Sequence, residues 1–353
     1  MRIRSLPGTL VLVAGIVAAG VLAPMPALAK VALHMTLNMG SSCLGGDKPT
    51  SDPIKVKLLR SDGSALETRH DDTTSLIGWG ICFQHHIPVA GEKLQMINGT
   101  TQDRTITIPD LTLVVDRVSS IAGGHGPAGT SIELTYTDCY PSGCDSPAPP
   151  FVLTVNSRGH YHKNLSASAF DIDGWDELQT DYVNSFQDRF TRATYAPYVE
   201  ITKPNQIFVS CVPPGTTTVR LLTSTGTLRA SRSFHATADC SGFFGSFRKN
   251  GHAVNVHVGD RITSSLATDA RFTWPTMSIT GALTGDSLSG TCLAHSRYVV
   301  FITRGGSGTT WSGTTDSHGI LSGTPSWTFQ TGDHLDLVCE THQGDHVRMA
   351  RTL

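Results

Sequence analysis

Charge is scarce in this sequence. Asp, Glu, Lys and Arg make up 16% of its 353 residues, where soluble proteins average nearer 25%. The formal net charge is −2, and Lys and Arg form no cluster. That balance argues against nucleic acid as a partner, because replacing phosphate counterions takes grouped basic side chains. Sustained helical periodicity is also absent. No apolar run beyond the N-terminus reaches the roughly 20 residues that span a bilayer, and the chain ends Met349-Ala-Arg-Thr-Leu353 without a hydrophobic tail. Neither G-x-S-x-G, a phosphate loop nor H-E-x-x-H occurs, which removes the common hydrolase, nucleotide and zinc-protease signatures.

What is present at the N-terminus sets the compartment. Arg2 and Arg4 precede an apolar run from Leu10 to Leu22, and Ala27-Leu28-Ala29 offers small residues in A-x-A order. That is the layout of a secretory signal peptide over residues 1–29. The run is too short for a membrane anchor and is followed by Pro24 and Pro26. Removing the leader takes two arginines and no acid, so the exported chain is more acidic than the whole.

Internal repetition dominates the rest. One marker is a polar residue, two spacers, then Gly: Ser75-Leu-Ile-Gly78, Asn156-Ser-Arg-Gly159, Asp239-Cys-Ser-Gly242 and Asp316-Ser-His-Gly319, the glycines lying 81, 83 and 77 residues apart. A second is Gly, acid, spacer, aliphatic: Gly91-Glu-Lys-Leu94, Gly259-Asp-Arg-Ile262, Gly332-Asp-His-Leu335 and, more loosely, Gly174-Trp-Asp-Glu-Leu178. A third is a strand running into a turn, as in Val56-Lys-Leu-Leu-Arg-Ser-Asp-Gly63 and Val219-Arg-Leu-Leu-Thr-Ser-Thr-Gly226. Pro109, Pro197 and Pro275 each open an alternating apolar run. Alternation such as Val254-Asn-Val-His-Val258 reads as strands with one buried face, and Gly with Asp, Asn or Ser supplies the turns. The expected fold is all-β: a tandem array of four small Greek-key β-sandwich (Ig-like) modules at 30–108, 109–196, 197–274 and 275–353.

A sandwich of about eighty residues has a small core. Eight cysteines in an exported chain are therefore expected to act as disulfides. Each module holds two, so one bond inside each is the simplest of the 105 possible pairings: Cys43–Cys82, Cys139–Cys144, Cys211–Cys240 and Cys292–Cys339. The second cysteine of a pair shifts between elements from module to module.

The order of apolar strand, Gly turn, Asp-x-x-Gly-x-aromatic and Gly-Asp-x-aliphatic resembles bacterial extracellular immunoglobulin-like repeats. It is also similar to carboxypeptidase-regulatory-like (transthyretin-like) modules. The resemblance runs over the whole exported chain, is clearest in 197–274 and weakest in 109–196. It implies β-sandwich spacers, adhesive or carbohydrate-contacting modules, and no catalytic residues.

Three constellations bear on chemistry. Gly285-Asp286-Ser287-Leu288 spells the nucleophile block of GDSL esterases, but no Asp-x-x-His follows to supply base and orienting acid, and the segment doubles as a module's opening turn. Asp171, Asp173 and Asp176 gather around Gly174 as in a calcium loop, without the regular spacing of one; the same residues also read as the second-marker turn with an insertion. His85-His86 and His160-Tyr-His162 are the tight histidine groups, fewer than the converging ligands zinc takes. Residues 109–196 hold most of the tyrosines, and Tyr136, Tyr140, Tyr161, Trp175, Tyr182 and Tyr195 are the candidate ligand-binding aromatics, with core filling as the rival role.

The expected function is a secreted, non-enzymatic protein that binds or bridges extracellular material. Its partner would be an extracellular polysaccharide or protein surface, with no cofactor, no nucleic acid and no membrane insertion after leader removal. A purely structural spacer is the alternative, and a secreted hydrolase using Ser287 the second.

Overall fold

The computed structural model describes residues 33–71, 78–99, 102–237, 240–266 and 270–353; the leader segment and Ser75 and Asp239 of the first marker lie outside them. Among the described residues the fold is all-β, with strands in six sheets and a single 3-10 turn at Ser166–Ser168. The alternation in the sequence is realised in the packing. In Ile54–Leu59, for example, Ile54, Val56 and Leu58 are fully buried while the residues between them are partly exposed. The disulfides join Cys43 to Cys82, Cys139 to Cys144, Cys211 to Cys240 and Cys292 to Cys339. The first two pairs also stand directly opposite each other on adjacent strands.

One turn recurs four times and explains the second marker. Gly91 N–H donates to Ile108 O, Ile108 N–H returns to Glu92 O, and the Glu92 carboxylate accepts Val89 N–H. Gly259, Trp274, Asp260 and His257 make the same set, as do Gly332, Leu353, Asp333 and Gln330. In the fourth case the residues are Trp175, Ala196, Asp176 and Asp173. The glycine slot has left-handed backbone, with φ of 84°, 86° and 94° at Gly91, Gly259 and Gly332, and Trp175 adopts it too at 76°. The sequence alignment of Gly174 with these glycines is thus one residue out. A bulky residue at such φ costs on the order of 1–3 kcal/mol, so tertiary contacts must hold Trp175 there. Its ring lies 5.7 Å from Tyr198, stacked, and 4.9 Å from His346, edge-on.

Gly174 has a different reason to be glycine. A Cβ there would lie 2.8 Å from both Gly344 O and Tyr198 Cβ. The two chain segments touch backbone to backbone, with Gly174 N–H donating to Gln343 O at 2.8 Å.

The four stretches ending in this turn do not stand alone; they share sheets in pairs. Thr36–Asn38 runs parallel to Arg189–Tyr195, so one eight-stranded sheet continues from the first stretch into the second. Tyr198–Thr202 runs parallel to His346–Thr352 in the same way, giving a seven-stranded sheet across the third and fourth. Each parallel junction is held by an aspartate in the preceding hairpin turn. Asp188 accepts Met35 N–H at 3.1 Å and Arg104 Nη2 at 2.5 Å. Asp345 accepts Val199 N–H at 2.8 Å and takes both Nη atoms of Arg117 at 3.2 and 3.0 Å.

The cores follow the pairing. One continuous cluster runs from Val199 to Val347. The first core recruits Phe190 from the second stretch. The second stretch keeps two small clusters, around Leu134 and around Ile132.

Candidate functional site

A cleft of about 790 Å3 opens where residues 136–173 meet 271–273, 293–297 and 340–343. The strand Ser131–Tyr140 supplies Tyr136 and Asp138, the loop before the recurring turn supplies Asp171 and Asp173, and the ends of Arg297–Arg304 and His334–Glu340 supply Arg297 and Glu340. Phe170, Phe272 and Leu293 contribute apolar lining beside these polar groups.

Two side chains set its electrostatics. Arg297 donates in parallel to the two oxygens of Asp138 at 2.9 and 3.0 Å, and its guanidinium lies 4.5 Å from the Tyr140 ring. The fork geometry makes this a directed contact rather than a loose surface pair. Glu340 is 7% exposed. Its backbone oxygen accepts Ser296 Oγ, but its carboxyl group has no hydrogen bond among the described residues and faces the cleft. Burial pushes that carboxyl up to about 8, with Arg297 opposing and Asp173, Asp138 and Asp176 adding to it. Behind it, burial also raises Asp176 to about 7, against the donors Cys139 N–H, Asp173 N–H and Tyr136 OH. Glu340 therefore holds its proton to higher pH than an ordinary glutamate, and it lines the cleft together with Asp171 and Asp173. Perturbed carboxyl groups converging on a cleft are a mark of functional sites.

A stability measurement tests the Glu340 environment. Its folded pKa is above the ordinary glutamate value of 4.5, so the neutral form is the one folding favours. The native protein is stabilised by this group below about pH 4.5 and loses that contribution as pH rises through about 8. Glu340→Gln is expected to match the parent at pH 4 and to exceed it by about 2–4 kcal/mol at pH 9 in denaturant unfolding. A constant difference across that range would show that Glu340 ionises freely.

The aromatics singled out in the sequence do not form one surface. Tyr136 is 5% exposed, with its hydroxyl donating to Asp176 Oδ2 and Asp171 O, both at 3.0 Å. Tyr161 is 4% exposed and donates to Thr112 O at 2.6 Å. These two are core residues whose hydroxyls find partners. Tyr182 stacks on Phe190, 6.1 Å away, at the first parallel junction. Tyr195 is exposed on the last strand of its stretch. Tyr140 bonds Asp145 Oδ2 at 2.5 Å and lies under Arg297, whereas Trp175 packs on Tyr198 and His346. The residues that sequence reasoning missed are Asp138, Arg297 and Glu340. The one hint was an acid, Glu340, directly after the apolar stretch Leu337-Val338-Cys339.

The three aspartates of the calcium reading are also separated. Asp176 is fully buried and its oxygens are taken by Tyr136, Cys139 and Asp173 donors. Asp171 accepts Ser166 Oγ at 2.9 Å. Among the described residues no three His, Cys, Asp or Glu side chains converge as metal ligands do. The loop is the recurring turn, and Asp176 is its N–H acceptor. His86 bonds Glu92 at 2.8 Å, and His160 packs on His125 with ring centroids 4.3 Å apart. Ser287 lies on an exposed turn after Asp286, whose φ is 48° and whose carboxylate accepts Phe329 N–H at 3.2 Å.

No family model and no curated protein matches the chain. Solved structures of tandem β-rich proteins are similar to it. A tetra-tandem repeat from the extending region of a large adhesion protein is 13% identical, with 91% of this chain and 98% of that one covered and a TM-score of 0.21. A Ca2+-stabilised adhesin of an ice-binding Antarctic bacterium is 14% identical over 92% and 99% of the two chains, TM-score 0.19. Trypsin-activated α2-macroglobulin from Escherichia coli is 10% identical over 91% of this chain and 30% of that one, TM-score 0.18.

Proposed function

We propose that the chain is an exported, non-enzymatic binding protein of four modules, working as two sheet-sharing pairs, that holds extracellular material in the cleft between the pairs. The observation that carries this reading is Glu340: a largely buried carboxyl with no side-chain hydrogen bond among the described residues, facing a cleft that Arg297 and Asp138 border in fixed geometry. Leaving such a group unpaired costs stability, and a ligand's polar atoms offset that cost. Four disulfides support an oxidising compartment. The test is a pull-down of residues 30–353 on isolated cell envelopes and on an immobilised extracellular matrix, with Arg297→Ala and Glu340→Gln alongside. Saturable binding weakened at least tenfold by Arg297→Ala supports the cleft; binding that neither variant alters removes it.

The spacer reading has its own support. Both parallel junctions make the sheets continuous, and the Arg117–Asp345 pair ties one sheet-sharing pair to the other, with side chains 1% and 0% exposed. A stiff rod needs such joints. It predicts that no surface retains the protein.

A further inference from the structure

Outside the cleft, the outward face of the seven-stranded sheet carries a second set of exposed groups. Phe244 is 82% exposed. Single exposed apolar side chains are ordinary, but this ring is stacked on Phe208, centroids 4.5 Å apart and planes 30° from parallel. Register explains why: Phe208 stands opposite Phe244, and Glu200 opposite Phe208, so all three point from the same face. Further along, Arg348 donates Nε to Asp336 Oδ1 at 2.9 Å and Nη1 to Glu200 Oε1 at 3.2 Å. Beyond Asp336, directly opposite it, is Phe301, 37% exposed. A shallow groove of about 410 Å3 runs over Phe244, Phe208, Glu200, Arg348 and Asp336, within the size range of small-ligand sites.

We propose that this face binds a neutral polysaccharide, with Phe244 and Phe208 as the stacking platform and Glu200, Asp336 and Arg348 as hydroxyl partners. The ring faces offer rigid apolar area that matches the C–H face of a pyranose. Sugar hydroxyls both donate and accept, so they suit two carboxylates and a guanidinium that are already locked together; little side-chain freedom is lost on binding. The acids outnumber the single arginine, which disfavours uronates and phosphates. Length fits a polymer. Five inter-strand steps separate the strands of Phe244 and Phe301, roughly 24 Å at about 4.8 Å per step. The inference rests on the proposed binding role but not on the cleft.

The experiment is affinity electrophoresis of residues 30–353 in gels containing soluble neutral β-glucan, galactomannan or xylan, with polygalacturonate as the charged control. Retardation by a neutral polymer is expected, reduced tenfold or more in Phe244→Ala and kept in Phe244→Tyr, with the exposed-site control Val152→Ala like the parent. Phe244 is exposed, so its loss leaves the fold intact. Equal retardation of Phe244→Ala, or none by any neutral polymer, overturns the proposal. A concentration-dependent dimer abolished by Phe244→Ala also overturns it and assigns the face to a second copy of the chain. Envelope binding lost in Arg297→Ala but kept in Phe244→Ala leaves the cleft reading standing and this one refuted.

Discussion

Asp345→Ala is expected to destabilise the protein by about 3–5 kcal/mol and to loosen the joint between the two pairs. Asp345 is fully buried and bonds to several chain segments at once. It takes both Nη atoms of Arg117, accepts Val199 N–H, and through its own N–H bonds Thr341 Oγ1 at 3.1 Å. Truncation takes the bidentate carboxylate away from a guanidinium that is itself 1% exposed. Breaking a buried ion pair of this kind costs about 3–5 kcal/mol, far more than the intact pair contributes relative to apolar residues. Arg117 Nη1 also donates to Pro197 O, at 2.7 Å, a bond that truncation of Asp345 leaves in place. Chemical denaturation should show an earlier transition. Hydrogen exchange should locate the loss at residues 197–202 and 341–348, because the parallel strand pairing there loses its capping acceptor. Replacing Arg117 and Asp345 together by Met and Leu should recover much of the loss. If the double variant is as unstable as the single, the charge argument fails and packing alone explains the site.

The second large effect is expected at Phe190. Phe190→Ala should cost about 3–5 kcal/mol, the usual penalty for emptying an aromatic site in a core. The instability should appear mainly in residues 33–108. Phe190 belongs by sequence to the second stretch, yet it is 1% exposed within the first core, among Leu37, Val56 and Met96. Parallel pairing puts it opposite Leu37, and a strand side chain there points into whichever sheet sandwich the shared sheet faces. Hydrogen exchange or limited proteolysis would read this directly. Protection lost in 109–196 while 33–108 is spared would show that the stretches fold independently and that the junction is incidental.

These two residues mark where the sequence stops informing. Alternation with period two, Gly in left-handed turns and paired cysteines are local signals. A strand's burial pattern and a turn's φ depend on neighbours close in the chain, and two cysteines in each repeat leave one simplest pairing. For that reason Ile54–Leu59, Gly91, Gly259 and Gly332, and the four cysteine pairs could be placed from the residues alone. The one local misreading, Gly174 for Trp175, arose where the turn rule is broken: an aromatic occupies a glycine conformation, held by Tyr198 and His346 from other stretches.

Partners more than a hundred residues apart leave no such trace. Parallel pairing of Thr36–Asn38 with Arg189–Tyr195 has no turn to announce it, and Arg117 and Asp345 are ordinary charges until the fold buries them together. The same holds for the cleft, whose Asp138, Arg297 and Glu340 come from separate strands and where the Glu340 carboxyl is raised because tertiary packing removes its water. The sequence by itself determined the all-β character and the repeating turn, since each is governed by short-range sterics and periodicity, and it led to the disulfide pairs through two cysteines in each repeat. Only the tertiary structure decided that the sheets are shared two by two, that Tyr136 and Tyr161 fill cores, and where exposed chemistry collects, because those depend on which distant surfaces exclude water from one another.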